Sequence, residues 1–598
     1  MQPASTSGAS GGSNRQLKRW GPIAGVVAVV AIGGGVLLVT NGGDKGSVSG
    51  ATTTATAVTV AETTAPNETT APTDTGSAPD TTAAGPAEVT FPLSYQQAVE
   101  QGIEGDIDWG DRCDTSTGRL AVPDYFAPEC MAPFTGDNGG ATAPGVTADE
   151  ITLVNYVGQA GDPIIAYITD AINNDDTTQD YFDTMKGLVD YYSAFYELYG
   201  RKVNLVTFEG TGGATDEVAA RADAATIAEQ YKPFAVLGGP SLTSAFADEL
   251  SARKVLCIGC TPGQPADFYT QRDPYVWGLD GSALQKQTHV LEFVKKQLIG
   301  KNASHGGDAV KEQPRVFGLV YLESSGASKD LADNFASEMA AAGAPFAAVA
   351  AYQLDPGTIQ QTASQVITKM KAAGVTTIIH SGDPVAPRDF TNEATAQEYF
   401  PEWVIAASTL VDVTAFARTY DQEQWSHAFG VTQLAARTDP TKAGAYANYE
   451  WFTGVEPPAN DSIGVIAPNP ALFFAVVQAV GPNLSADTFR DTLFARDGTK
   501  AAISQPYLSY GDKGYWGGVP DYQGVDDATA IWWNATATGP DEIRREGTGM
   551  YEYVDGGKRY LPGEWPTDDK LFNPDGAVDI YLTPPPGEEP GVYPSPAG

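Results

Sequence analysis

The stretch "VLGGPSLTSAFADELSARKVLCIGC", Val236–Cys260, sets the fold class. It opens as an apolar run, breaks at Gly238-Gly239-Pro240, and presents Ser241, Leu242, Thr243 and Ser244 before a segment of helical spacing. A second apolar run then ends in Cys257-Ile-Gly-Cys260. Strand, hydroxyl-rich elbow, helix and strand form the repeat of a parallel sheet whose connections are helices. The same texture extends upstream. "ITLVNYVG" and "KVNLVTFEG" read as strands, and between them Met185, Leu188, Val189, Tyr192, Phe195, Tyr196 and Tyr199 recur at helical spacing until Gly200 ends the helix. Downstream, "PRVFGLVYLES", "FAAVAAYQL", "TTIIHSGD" and "PEWVIAAST" alternate with helical segments as a second α/β lobe. Two such lobes joined by crossing segments predict a ligand cleft, because small ligands sit at the carboxyl ends of strands in open α/β sheets.

The chain of 598 residues is too long for one ordinary domain, and 42 % hydrophobic content supplies a sizeable core. A formal charge of −38 excludes nucleic acid as a partner class, because a polyanion is repelled from most of such a surface. Arg15, Lys18 and Arg19 precede the uncharged run Trp20–Thr40, whose length suits a bilayer span. The positive cluster before it orients the amino end inward and the bulk of the chain outward. A cleaved signal peptide is the rival reading, with a shorter apolar core and a small-residue cut site. The run holds no cysteine for a lipid anchor.

The four cysteines then face an oxidising space. Local spacing predicts Cys113–Cys130 and Cys257–Cys260 as disulfides. Zinc lacks neighbouring histidines, and a redox role for "CIGC" would place the motif at a helix start rather than at a strand end. The expected order is a short inner segment 1–19, an anchor 20–40, a Thr/Ala/Pro-rich linker 41–90 and a disulfide-stapled extension 91–148. A two-lobed domain 149–534 and a C-terminal extension 535–598 with a Pro-rich tail follow. Lobe 1 is expected over about 149–285 plus 410–500, and lobe 2 over about 310–409 plus 501–534.

From Val146 to Asn534 the chain resembles type I periplasmic binding proteins, in particular the substrate-binding proteins of branched-chain amino acid ABC importers. The segments that carry the resemblance are "GVTADEITLV", "FAVLGGPSLTSAFADELSARKVLCIGCTP", "RVFGLVYLESSGASKDLADNF", "SQPYLSYGDKGYWGG" and "ATAIWW". It implies two doubly wound parallel-sheet lobes joined by a hinge, closing over a small solute. Carried over position by position, it implies first-lobe ligand contacts at Gly158, Gln159, Ser241, Thr243, Ser244, Cys260 and Thr261. On the second lobe it implies Ser325, where the family usually has Tyr, Asp383 in place of an aromatic, and Thr409. The acid that meets an amino group in the family would fall near Ser408 or Thr409 and is absent there, which weakens the case for a free aliphatic amino acid.

The elbow hydroxyls also suit helix caps. "EGTGGATDE" lacks the Lys-Ser/Thr of a phosphate loop and reads as a turn with a cap, and "DDTTQD" lacks calcium-loop spacing. His289, His305, His380 and His427 are scattered, with neither an HExxH nor a GxSxG motif. His380, at the end of "TTIIH", is the one placed at the cleft; an interior histidine is its alternative reading. The expectation is a non-catalytic solute-binding protein without metal or cofactor. It would take a small polar solute (amino acid, amide or short peptide), with importer permease subunits and the membrane as partners. A membrane-anchored sensing ectodomain is the alternative, and a cell-surface enzyme would need a catalytic constellation the sequence does not present.

Overall fold

The structure is a computed structural model that describes residues 89–598 except Pro262, Ser325, Thr409 and Lys500. The expected anchor and all but the last residues of the expected linker lie outside the described residues.

The N-terminal extension begins with the helix Tyr95–Gln101, started by a reciprocal Ser94–Gln97 capping box. The hairpin β1 (Cys113–Asp114) and β2 (Arg119–Leu120) follows, stapled by the Cys113–Cys130 disulfide with Cα atoms 5.5 Å apart. The extension shares a core with the first lobe. Leu120, Val122 and Ala127 join its apolar cluster, Arg112 pairs with Glu197 at 2.9 Å, and the Asn138 amide donates to Tyr199 O at 2.9 Å.

The first lobe is built on β3 (Glu150–Val157), β4 (Lys202–Glu209), β5 (Ala235–Leu237), β6 (Leu256–Ile258) and β7 (Val276–Trp277). They pair in the order β4-β3-β5-β6-β7, all parallel. Strands buried on both faces read as continuous apolar runs, as Ile151, Leu153 and Val154 do here. The helix Thr178–Phe195 covers one face; a Thr177–Asp180 capping box starts it, and Met185, Leu188, Val189 and Tyr192 are buried along it. The apolar stretch Ile463–Val480, long enough by composition to cross a membrane, belongs to this lobe's core, where Phe473 and Phe474 are fully buried.

The second lobe repeats the plan. β8 (Phe317–Leu322), β9 (Ala348–Tyr352), β10 (Thr377–Ser381), β11 (Glu402–Ala406) and β12 (Ala428–Thr432) pair in the order β9-β8-β10-β11-β12, again parallel. β13 (Leu508–Gly511) and β14 (Asp521–Val525) form a separate antiparallel pair whose Tyr510 and Tyr522 pack on Trp277 of the first lobe. β15 (Thr529–Pro540) and β16 (Glu546–Tyr553) then extend the second sheet as antiparallel strands. Trp532 and Trp533 enter different clusters, as expected for neighbours on one strand.

The lobe boundaries therefore differ from the expected ones. β12 hydrogen-bonds to β11, so residues from 410 to Thr432 lie with lobe 2 rather than lobe 1. The strands β13 and β14 pack with lobe 1 through Tyr510 and Tyr522 rather than with lobe 2, whereas Ile503 stays with lobe 2, and the second sheet continues past residue 534 to Tyr553. The helix Ala283–Phe293 also sits on the second lobe's core through Val290 and Phe293. These segments are short, and their apolar residues would suit either sheet.

The C-terminal tail ties the parts together. Trp565 is buried on the second lobe, its indole N–H donating to His289 Nδ1 at 3.0 Å. Tyr581 exchanges backbone hydrogen bonds with the crossing segment at Arg437 and Asp439. The Glu588 carboxylate accepts from the Ile503 and Ser504 amides, and the Tyr593 hydroxyl donates to Asp114 of the extension at 2.9 Å.

Candidate ligand-binding site

At the carboxyl end of β5 the chain turns through Gly238, whose φ of 75° suits glycine. A Cβ on Gly239 would lie 2.7 Å from Cys260 O, so the elbow packs directly against the end of β6. The Cys257–Cys260 disulfide closes that end, with Cα atoms 5.7 Å apart. Thr261 ties the two ends together, its hydroxyl donating to Thr243 O at 3.4 Å, and the Thr243 hydroxyl accepts the Ala245 N–H at 3.1 Å at the start of the helix Ala245–Ala252. Ser244 stands at the N-cap position without a side-chain cap bond. Thr243, Cys260 and Thr261 thus hold the elbow in shape.

Gly158, Gln159 and Ser241 instead line a cavity of about 70 Å³ at the carboxyl ends of β3 and β5. Its other polar walls are Asn155, Asp162, Tyr181 and Asn469, and its apolar walls include Ile165, Met185, Val465 and Ile466. The Asp162 carboxylate accepts the Ile164 and Ile165 amides at 2.8 and 2.9 Å and the Ala214 amide at 2.7 Å, which starts the helix Pro163–Ala171 and pins it over the cavity. The side chains of Asn155, Gln159, Ser241 and Asn469 make no hydrogen bond to described residues. The buried Tyr181 hydroxyl has Ser462 and Asp176 as polar neighbours but no hydrogen bond of normal geometry. Asp176 lies outside the cavity wall; burial raises its carboxyl to about 6.

The helix Pro163–Ala171 also joins the lobes. Ile165, Ile168 and the following Ile172 enter the second lobe's apolar cluster, with Ala214 and Leu242 of the first lobe beside them. Arg388 of the second lobe donates to the Tyr167 hydroxyl at 2.7 Å.

The second lobe has its own cavity of about 90 Å³ at the carboxyl ends of β8, β10 and β11, lined by Lys286, Gln287, Tyr321, Ser381 and Ser408 among others. Lys286 is paired with Asp280 at 3.1 Å, and the Ser408 hydroxyl bridges Gly382 N–H and His380 O. Asp383 does not reach this cavity. It is fully buried; its Oδ2 accepts the Tyr352 hydroxyl at 2.6 Å and its Oδ1 the Val385 and Ala386 amides at 2.8 and 2.9 Å. Burial raises its pKa, and the Tyr352 bond opposes the rise. The ligand role expected of Asp383 is corrected to a helix cap, which an Asp ahead of Pro and a helical run performs. Ser325 and Thr409 lie outside the described residues. His380 is an interior residue between Tyr352 and Phe390. Neither ring nitrogen has a hydrogen-bond partner among the described residues, and burial pushes its pKa down to about 3.

Sequence reasoning missed Asn155, Tyr181 and Asn469. Asn155 had a legible signal, as the one amide in the buried run "ITLVNYV". Tyr181 was hidden in the aromatic stripe of a core helix.

No protein-family model matches the chain, and no curated protein is similar enough to match it. Solved structures similar to it include a branched-chain amino acid transporter substrate-binding protein from Streptococcus pneumoniae in complex with isoleucine. That match has 14 % identity and TM-score 0.44, covering 68 % of this chain and 100 % of the other. A fatty acid ABC transporter substrate-binding protein from Thermomonospora curvata is similar at 13 % identity and TM-score 0.45, covering 73 % and 100 %. A solute-binding protein of an ABC transporter from R. palustris, in complex with 4-hydroxybenzoate, is similar at 11 % identity and TM-score 0.44, covering 70 % and 99 %. The two parallel sheets share one strand order, second-first-third-fourth-fifth, and are linked by crossing segments, the two doubly wound lobes that the resemblance to type I periplasmic binding proteins implies.

Proposed function

We propose that this protein is an extracytoplasmic solute-binding protein that holds a small molecule at the strand ends of its first lobe, closes the second lobe over it and delivers it to an ABC importer. The observation that carries this reading is the cavity under the Ser241 elbow, where several buried polar side chains have no hydrogen-bond partner among the described residues. Buried polar groups are almost always hydrogen-bonded, so such a set in a cavity at strand carboxyl ends suits a ligand. The roof helix Pro163–Ala171 supports the closing step, because it lines the cavity with Ile165 and packs Ile168 on the second lobe. The run Trp20–Thr40 would anchor the protein on the outer face of the membrane, beside the permease subunits that receive the solute. The experiment is a melting-temperature screen of amino acids, short amides, polyols and hydroxybenzoates, followed by calorimetric titration. Saturable binding of one compound at one site per chain supports the reading, and a protein that no small molecule stabilises contradicts it.

A further inference from the structure

The lining of the first-lobe cavity says which solutes it can hold. Asn155, Gln159 and Asn469 each offer a donor and an acceptor, as do the hydroxyls of Ser241 and Tyr181. Among the described residues Asp162 is the only lining residue with a formal charge, and its two oxygens already accept three backbone N–H groups. Among the described residues no Lys, Arg or His lines the cavity, and Asp176, an acidic neighbour of Tyr181, is not part of the wall. A carboxylate placed here would face the like charge of Asp162 with no cation to offset it, and an ammonium would find the Asp162 oxygens already taken by backbone N–H groups. An uncompensated charge in such a place is strongly disfavoured. A neutral amide or hydroxyl head would instead find partners for each of its polar atoms. The walls opposite, Ile165, Met185, Val465 and Ile466, suit a short alkyl end. The volume of about 70 Å³ is several times what one water needs.

We infer that the ligand of this cavity is a small uncharged molecule with an amide-like hydrogen-bonding head and a short alkyl end, held by Asn155, Ser241, Tyr181 and Asn469. The inference rests on the solute-binding reading and narrows it, setting aside free amino acids and carboxylates as the buried group. It also gives the roof helix a consequence: Ile165 touches the alkyl end, so an occupied cavity supports the helix that the second lobe packs against.

The test uses three probes of nearly one shape: propionamide, propionate and propylammonium. Each is titrated into the full-length protein at neutral pH by calorimetry, with melting curves at millimolar probe. Propionamide is expected to bind at least tenfold tighter than either charged probe. Ser241→Ala and Tyr181→Phe are each expected to weaken it about tenfold, and Asn155→Leu by more. Tyr181→Phe removes one oxygen and serves where Asn155→Leu fails to fold. Equal or tighter binding of propionate or propylammonium overturns the inference, and so does propionamide affinity that none of the variants changes. If the three probes fail while isoleucine or 4-hydroxybenzoate binds, the neutral-ligand inference falls and the solute-binding reading stands. If no compound binds, both fall.

Discussion

The two lobes share a strand order but use their strand-end polar groups differently. In the first lobe, the residues after β3 and β5 leave Gln159 and Ser241 unpaired at a cavity, with Asn155 at the strand end itself. In the second, the residues after β10 and β11 bind one another: Asp383 holds Tyr352 and a helix start, and Ser408 bridges Gly382 and His380. On the proposed function, one fold thus yields a recognition face and a cover. What separates them is whether a polar side chain finds a backbone group within reach, a property of local loop geometry rather than of residue type. Thr243 in the first lobe illustrates this, a hydroxyl beside Ser241 whose oxygen is occupied by Ala245 N–H.

The largest effect is expected deep in the second lobe. Glu402 is fully buried, accepts two Arg315 hydrogen bonds at 2.8 and 2.9 Å, and also binds Thr377 at 2.6 Å and the His305 amide at 3.1 Å. Glu402→Ala leaves the Arg315 guanidinium buried and unpaired, a loss of about 3–5 kcal/mol. Denaturant unfolding is the measurement, and a loss under about 1 kcal/mol would show that Arg315 reaches water instead. Next is Asp383→Ala, which strands two amides and the Tyr352 hydroxyl at about 1–3 kcal/mol each before relaxation. It should lower the melting temperature clearly while leaving propionamide affinity within about twofold, the energy of a weak contact. Ser241→Ala should do the reverse, weakening propionamide about tenfold, near 1.4 kcal/mol, with melting almost unchanged. A Ser241 variant that loses stability, or an Asp383 variant that loses affinity at full stability, would erase the division between the lobes.

How far the sequence foretold this division depends on the scale of the pattern. Strand runs such as "ITLVNYV" and the aromatic helix Thr178–Phe195 carry strong periodicity, so the alternating two-lobed plan was legible. The lobe boundary was not, because "AFGVT" of β12 is equally suited to either sheet, and only its pairing with β11 decides. The elbow was legible from Gly238-Gly239-Pro240, whereas which hydroxyl stays unpaired depends on placing Ala245 N–H. The cap at Asp383 was readable from the following Pro and helix, but the resemblance drew it into the ligand set.

The smallest effect is on pH dependence. Near the crossing segments, burial raises the Asp521 carboxyl to about 7, with Asp526 adding to the rise. Burial raises Asp526 to about 6, opposed by hydrogen bonds from Ser509 and Trp516. In the second lobe, burial likewise raises Asp412 to about 6, opposed by Thr432. The folded chain holds these protons where an unfolded carboxyl, at about 4, has released them. Their stabilising contribution is therefore full below about pH 4 and is lost as pH rises through 6 and 7. His380, held neutral by burial, works the other way: its contribution is full above its ordinary value of 6.5 and is lost as pH falls toward about 3. Between pH 6.5 and 8 the acids act alone of the two, and the melting temperature should fall by about one degree across that window. Asp526→Asn should remove more than half of this fall. Its new amide can donate to the Ser509 hydroxyl, and Asp521 loses the charge beside it. An unchanged slope would assign the pH dependence to other groups.

The most direct measurement is a crystal structure of the full-length protein grown with propionamide. Ligand density is expected beneath the elbow, with the amide within hydrogen-bond distance of Asn155, Ser241 and Asn469 and the ethyl group toward Ile165 and Met185. Density confined to the second-lobe cavity, beside Lys286, Ser381 and Ser408, would contradict the assignment of recognition to the first lobe.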